Sequence, residues 1–277
     1  MALTIIQLVK YLPMKNCGDC GKATCLAFAS HVIKKKESLA LCPYLERDVY
    51  EQLRQEIESQ HAENVNTAPD RYQTVKEFVS AKIKDDDFSK LAHFLGGRYC
   101  MREGKQILTL DYLGRKYEVS KEKVMAVDGQ EQDVWDHILL YNYIASHCGK
   151  SPTGKWIGID SLPGSIPKKP ELRETCEKKI AQAFRGNLEE LRRAVLSIGG
   201  KVLKEDTNAD LTAVIHPLPK TPFLLLFWRA DDEEGFEERV KVLFDETIGC
   251  FLDIESIVFL AEKMAIRLIE IRDRDKA

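Results

Sequence analysis

Apolar positions along the chain fall into blocks of two kinds, some at helical spacing and some alternating with polar residues. Ile5 to Tyr11 predicts a short helix stopped by Pro13. Leu26, Ala29, Val32 and Ile33 share one face of an amphipathic helix predicted over Lys22–Lys36. A third helix, rich in charge, is predicted over Leu45–Gln60. His61 to Asp70 (HAENVNTAPD) has few large apolar residues and one proline, and reads as a linker. From about residue 71 the pattern changes. A helix over Phe88–Leu95 ends at Gly96-Gly97. Strand-like runs follow at Arg98–Glu103, Gln106–Tyr112 and Lys116–Ser120, and the breaks Glu103-Gly104-Lys105 and Leu113-Gly114-Arg115 suit tight hairpins. A helix is then predicted over Gln132–His147.

The same order returns further on. Leu188–Ile198 is helical in pattern and ends at Gly199-Gly200, followed by strand-like runs at Lys201–Glu205, Leu211–His216 and Phe223–Trp228, then helices at Phe236–Ile248 and Ile254–Ile271. This is what a duplicated helix–three strands–helix unit looks like; two unrelated meanders in an ordinary α+β domain are the alternative. The expected class is α+β: a small helical module over 1–60 and a larger domain with antiparallel strands over 71–277. A module of 60 residues builds only a small core, and a metal cluster supplies what burial cannot.

Composition adds limits. The chain has 277 residues, which suits two domains. It is 44% hydrophobic and 31% charged, with a formal net charge of −3 and a pI near 6.1, so neither a basic domain nor a basic run marks a nucleic-acid surface. No apolar run approaches the ~18 residues of a membrane span. Met1–Tyr11 lacks the charged start and cleavage site of a signal peptide. A cytoplasmic protein is expected. There, the eight cysteines are expected to be metal ligands or buried thiols rather than disulfides.

Four of them cluster. Cys17-Gly18-Asp19-Cys20-Gly21-Lys22-Ala23-Thr24-Cys25 is followed, after sixteen intervening residues, by Cys42-Pro43. Gly18 and Gly21 allow positive φ and close approach of backbone to sulfur. Cys25 lies in the first turns of the predicted Lys22–Lys36 helix, whose dipole favours an anionic cluster, and a Cys-Pro pair also ends the bacterial ferredoxin run. Structural zinc sites instead tend to pair two close couples of ligands. The three-plus-one grouping therefore points to one iron–sulfur cluster, [4Fe–4S], on Cys17, Cys20, Cys25 and Cys42.

These residues, with the flanking Val-Lys-Tyr-Leu-Pro, Thr-Cys-Leu-Ala-Phe-Ala and Cys-Pro-Tyr-Leu, resemble the four-cysteine [4Fe–4S] domain of the corrinoid iron–sulfur protein, which works in acetyl-CoA synthesis and cleavage. A similar spacing occurs in the B subunit of the Rnf electron-transport complex. All four ligand positions are matched, and the resemblance implies a low-potential one-electron centre. It covers only about the first 50 residues. The remainder, roughly 71–275, resembles a family catalogued as a domain of unknown function that accompanies this cluster domain in anaerobes, and that implies no activity.

Other residues carry weaker signals. His147 to Pro170 is long and rich in Gly and Pro yet contains Trp156, a pattern seen in functional loops. Trp156 is weighed as a lid over a flat cofactor, against a loop pinned by one aromatic ring. His137 and His147 are weighed as axial ligands to a corrin or haem metal, against ordinary surface or core residues. Cys100, Cys148, Cys176 and Cys250 are expected to be buried small apolar groups. No catalytic residue is named. Three readings stand: an electron-transfer protein serving a redox partner, a corrinoid (cobalamin) binder whose cluster reduces cobalt, or an assembly partner of a metalloenzyme with a structural cluster.

Overall fold

The computed structural model describes residues 3, 5–15, 17–22, 24–35, 37–67, 80–129, 134–204, 208–231, 233 and 235–275. The fold is α+β, and the chain divides into two units, Met1–Thr74 and Val75–Ala277. Among the described residues no helix is long and apolar enough to cross a membrane.

The first unit is helical. α1 (Ile5–Tyr11) buries Leu8 and is followed by Leu12, also buried, before Pro13. α2 (Cys25–Lys35) starts where the Thr24 hydroxyl accepts the Ala27 N–H at 3.0 Å, which satisfies one of the helix's orphan donors. Phe28, Ala29 and Val32 form its buried stripe. They pack with Leu39 of a 3₁₀ turn (Leu39–Leu41) and with Leu53 and Ile57 of α3 (Arg47–Thr67). α3 corrects the expected linker: residues 61–67 are helical. Their stretch contains neither Gly nor Pro, so nothing breaks the helix before Pro69. The rest of that stretch, 68–70, lies outside the described residues.

In the second unit α4 (Phe88–Leu95) is capped by Asp87, which accepts the Ser89 N–H at 3.0 Å, and stops at Gly96, whose φ of 69° is left-handed. A four-stranded antiparallel meander follows: β1 (Arg98–Arg102), β2 (Lys105–Tyr112), β3 (Arg115–Val119) and β4 (Val124–Ala126). Positive φ at Glu103 and Gly104, and again at Leu113 and Gly114, marks the mirror-image turns that match strand twist. β4 was not expected; three residues are too few to show an alternation. α5 (Val134–Ala145) buries Ile138, Leu139, Leu140, Tyr141, Tyr143 and Ile144, and so is covered on nearly all sides.

β5 (Trp156–Ile157) opens the second sheet. A broken helical stretch follows, in which α6 (Lys168–Leu172) and α7 (Lys178–Ala183) are joined by a π turn (Arg173–Glu177). Then come α8 (Leu188–Ser197), β6 (Lys201–Leu203), β7 (Leu211–Leu218), β8 (Thr221–Trp228), β9 (Arg239–Asp245), α9 (Ile248–Phe251) and α10 (Ile254–Arg274). The sheet order is β5-β9-β8-β7-β6, all antiparallel. β9 overturns the helix expected over Phe236–Ile248. Val240, Val242 and Phe244 are buried while Arg239 is exposed and Lys241 half-buried, a period of two rather than 3.6.

Both halves of this unit therefore run helix, Gly-Gly, four-stranded meander, helix, and one hydrophobic core serves both sheets. Their contacts are reciprocal. A Cβ on Gly96, after α4, would lie 2.8 Å from Cβ of Pro219 in the β7–β8 turn. A Cβ on Gly114, in the corresponding β2–β3 turn, would lie 2.6 Å from Cα of Ile198, after α8. Such a swap of equivalent places is what a duplicated unit related by a two-fold axis leaves behind. Tyr143 stitches the first of these places, donating to Leu95 O at 2.8 Å and accepting from Lys220 N at 3.1 Å.

The cysteines bring a second correction. Cys148 and Cys250 are joined by a disulfide, 102 residues apart in sequence, where buried free thiols were expected. Only the fold brings them together; nothing in their spacing announces it. Cys176 is a buried thiol, and Cys100 is half-buried on β1.

Candidate metal centre

Three segments supply the four clustered cysteines. Cys17 and Cys20 sit on a loop tightened by the Gly21 N–H donating to Gly18 O at 2.8 Å, with φ of 84° at Gly18 and 76° at Gly21. Cys25 is the first residue of α2. Cys42 closes the 3₁₀ turn, donating its N–H to Leu39 O at 3.2 Å. All four line one cavity, walled by Pro13, Gly18, Thr24, Phe28 and Pro43, with Lys22 at its side. Cys17 is exposed, Cys20 and Cys42 are half-buried, and Cys25 is buried with the α2 core. Among the described residues no group of three or more His, Cys, Asp or Glu is arranged to hold one metal ion. Four thiols lining one cavity, with the positive end of a helix and a lysine beside them, fit an anionic iron–sulfur cluster.

The surroundings hold the loop in place. Tyr44, two residues past Cys42, donates its hydroxyl to Asp19 Oδ2 at 2.7 Å, and Lys15 lies 4.0 Å over its ring. This ties the Cys17–Cys20 loop to the Cys42 segment. The same bond to Asp19 raises the Tyr44 phenol above its ordinary value. Lys22 pairs with Glu37 at 2.8 Å and His31 Nδ1 meets the same carboxylate oxygen at 3.1 Å, joining the loop to the far end of α2. Lys22 first, then His31, holds the Glu37 carboxyl below its usual range. Sequence reasoning missed both tethers. The Cys-Pro-Tyr string was visible, but its partner lies 25 residues back.

The residues weighed in the larger unit scatter. Trp156 lies half-buried on the edge strand β5, paired with Asp245. His147 adopts φ 50° and bonds Asp86 through Nε2 at 2.7 Å. His137 is half-buried on α5. Three cavities open among the described residues of this unit, and Trp156, His147 and His137 line none of them. The Gly- and Pro-rich loop is anchored structure. The Cys148–Cys250 disulfide pins one end, and the fully buried Asp245 accepts the N–H groups of Thr153 at 2.9 Å and Gly154 at 2.7 Å, and both the N–H and the hydroxyl of Thr247. Burial alone pushes that carboxyl up, but the donors outweigh it and hold it below the ordinary range.

Comparison with known proteins agrees with this division. A family model described as "Putative Fe-S cluster" matches residues 12–44. The corrinoid/iron-sulfur protein large subunit of Moorella thermoacetica is 53% identical over 45 residues, 16% of this chain and 10% of that protein. The acetyl-CoA decarbonylase/synthase complex subunit gamma of Methanosarcina acetivorans is 50% identical over 40 residues, 14% of this chain and 8% of that protein. The subunit of the same description from Methanothermobacter thermautotrophicus is 40% identical over 53 residues, 19% of this chain and 12% of that protein. The chain thus spans about a tenth of the length of these curated relatives. No solved structure matches the chain. A second family model covers residues 87–267, well over half of the sequence, and the chain belongs to that family, described as "Domain of unknown function (DUF3786)".

Proposed function

We propose that the first unit is an iron–sulfur electron-transfer module, with Cys17, Cys20, Cys25 and Cys42 holding one [4Fe–4S] cluster, and that it exchanges single electrons with a partner protein or with a cofactor held by the second unit. The carrying observation is that four thiols from three segments line one cavity. When bound, the cluster supplies a low-potential one-electron couple. The chain does the rest. Phe28, Pro13 and Pro43 limit water on the inner side, while the exposed Cys17 leaves one ligand sulfur near the surface, where a partner can approach. Lys22 and the α2 N-terminus place positive potential beside the thiolates, which favours the more negative, reduced state. The Asp19–Tyr44 bond keeps the two ligand segments together.

Anaerobic purification tests this reading. A brown protein whose reduced form gives an EPR signal, lost in Cys20→Ser, is expected; a colourless, zinc-loaded protein would contradict it. The second reading, a corrinoid reduced by the cluster, is favoured by the likeness of the cysteine segment to the Moorella subunit. Added cobalamin should then shift its visible spectrum, and absence of binding at high micromolar concentration counts against it. A cluster that cannot be reduced and reoxidised without unfolding the module favours an assembly role instead.

A further inference from the structure

In the second unit a polar cavity of about 190 Å³ lies between the β2–β3 hairpin and the C-terminal helix α10. It is lined from both halves of the duplicated pattern. Tyr112, Arg115 and Tyr117 come from the hairpin, Asp136 from α5, and Lys263, Arg267 and Glu270 from α10. Lys263 and Arg267 are one helical turn apart, yet their side chains are only 13% and 14% exposed, against the habit of such residues to reach water. Around them on α10, Met264, Ala265 and Leu268 are core residues.

Burying cations is costly unless anions match them. Here Lys263 and Arg267 share the lining with the carboxylates of Asp136 and Glu270, and Arg115 has its own partner in Asp128. Asp136 is already shared: it accepts the Tyr112 hydroxyl at 3.0 Å and lies 3.3 Å from Lys263 Nζ. Glu270, 54% exposed, meets Nη1 of Arg267 at 3.2 Å. Arg267 Nε is buried and has no hydrogen-bond partner among the described residues. A guanidinium in that condition has donors in reserve for a planar or tetrahedral oxyanion. The cavity is below the size of most cofactor sites, so it suits a small ligand.

We propose that this cavity is a binding site for a small oxyanion, a phosphate or a short-chain carboxylate, with Arg267 and Lys263 as its principal ligands. Arg115 adds a third cation at the mouth, where it also pairs with Asp128 at 3.4 Å. The Tyr112 and Tyr117 rings wall one side, packed edge to face with centroids 5.2 Å apart. The site is independent of the cluster and of the reading given to it.

Calorimetric titration of the full, cluster-loaded chain with inorganic phosphate and, separately, with succinate, at constant ionic strength, tests it and tells the two anion sources apart. One of them should bind saturably with a Kd of about 1 mM or tighter. Arg267→Gln and Lys263→Gln should each weaken that binding about tenfold while leaving circular dichroism unchanged. Failure of both anions to saturate below about 10 mM overturns the proposal, as does equal binding by wild type and both variants. If one variant fails to fold, the wild-type titration and the other variant still decide.

Discussion

Single residues carry much of this fold, and Asp245 is the clearest case. Its carboxylate gathers donors from the loop at Thr153 and Gly154 and from Thr247. Asp245→Asn should cost about 2–4 kcal/mol in urea unfolding, because an amide cannot accept from all of them. The folded carboxyl titrates below its unfolded value, so this stabilisation is full above about pH 4 and is lost as pH falls through the folded value. The variant should therefore lose less stability than wild type between pH 5 and pH 2, both taken as round values bracketing that range. Gly114 and Gly129 form a second test. Both hold left-handed φ, 76° and 74°, but only Gly114 meets a neighbour, the backbone of Ile198. Gly129→Ala should cost about 1 kcal/mol from backbone strain alone, and Gly114→Ala about 2–4 kcal/mol. Equal costs would remove the close approach from the account of how the two halves fit.

At the scale of elements, the N-terminal helices were legible because their signals are local. Pro13 ends α1, and the apolar stripe of α2 has a clear period. Thr24→Ala should destabilise the first unit by about 1 kcal/mol and speed amide exchange in α2 without touching the second unit. β9 was expected as a helix although the alternation Arg239, Val240, Lys241, Val242 is present; the pairing with β8 decides otherwise. The Trp156 loop was left between two readings for a different reason. Its anchors, Asp245 and Cys250, come from elements roughly a hundred residues away in sequence. Reducing the Cys148–Cys250 bond, which closes a loop of 102 residues, should lower stability by about 2–4 kcal/mol, read as a shift of the denaturant midpoint. No shift on reduction would mean that the bond does not form in solution.

For the whole molecule, the division into two units separates what is chemically legible from what is not. The proposed cluster ligands lie within 26 residues, from Cys17 to Cys42, and the proposal rests on thiols at that spacing on a glycine-bearing loop. The DUF3786 unit is built on pairings between distant segments, and its polar cavity draws on Tyr112, Asp136 and Lys263, which no sequence window shows together.

The most direct measurement is iron and acid-labile sulfide per chain in anaerobically purified protein, read beside the EPR spectrum of the reduced form. About four of each per chain, with a signal that Cys20→Ser abolishes, is the expected result. One zinc per chain with no sulfide and no signal would contradict the assignment of Cys17, Cys20, Cys25 and Cys42.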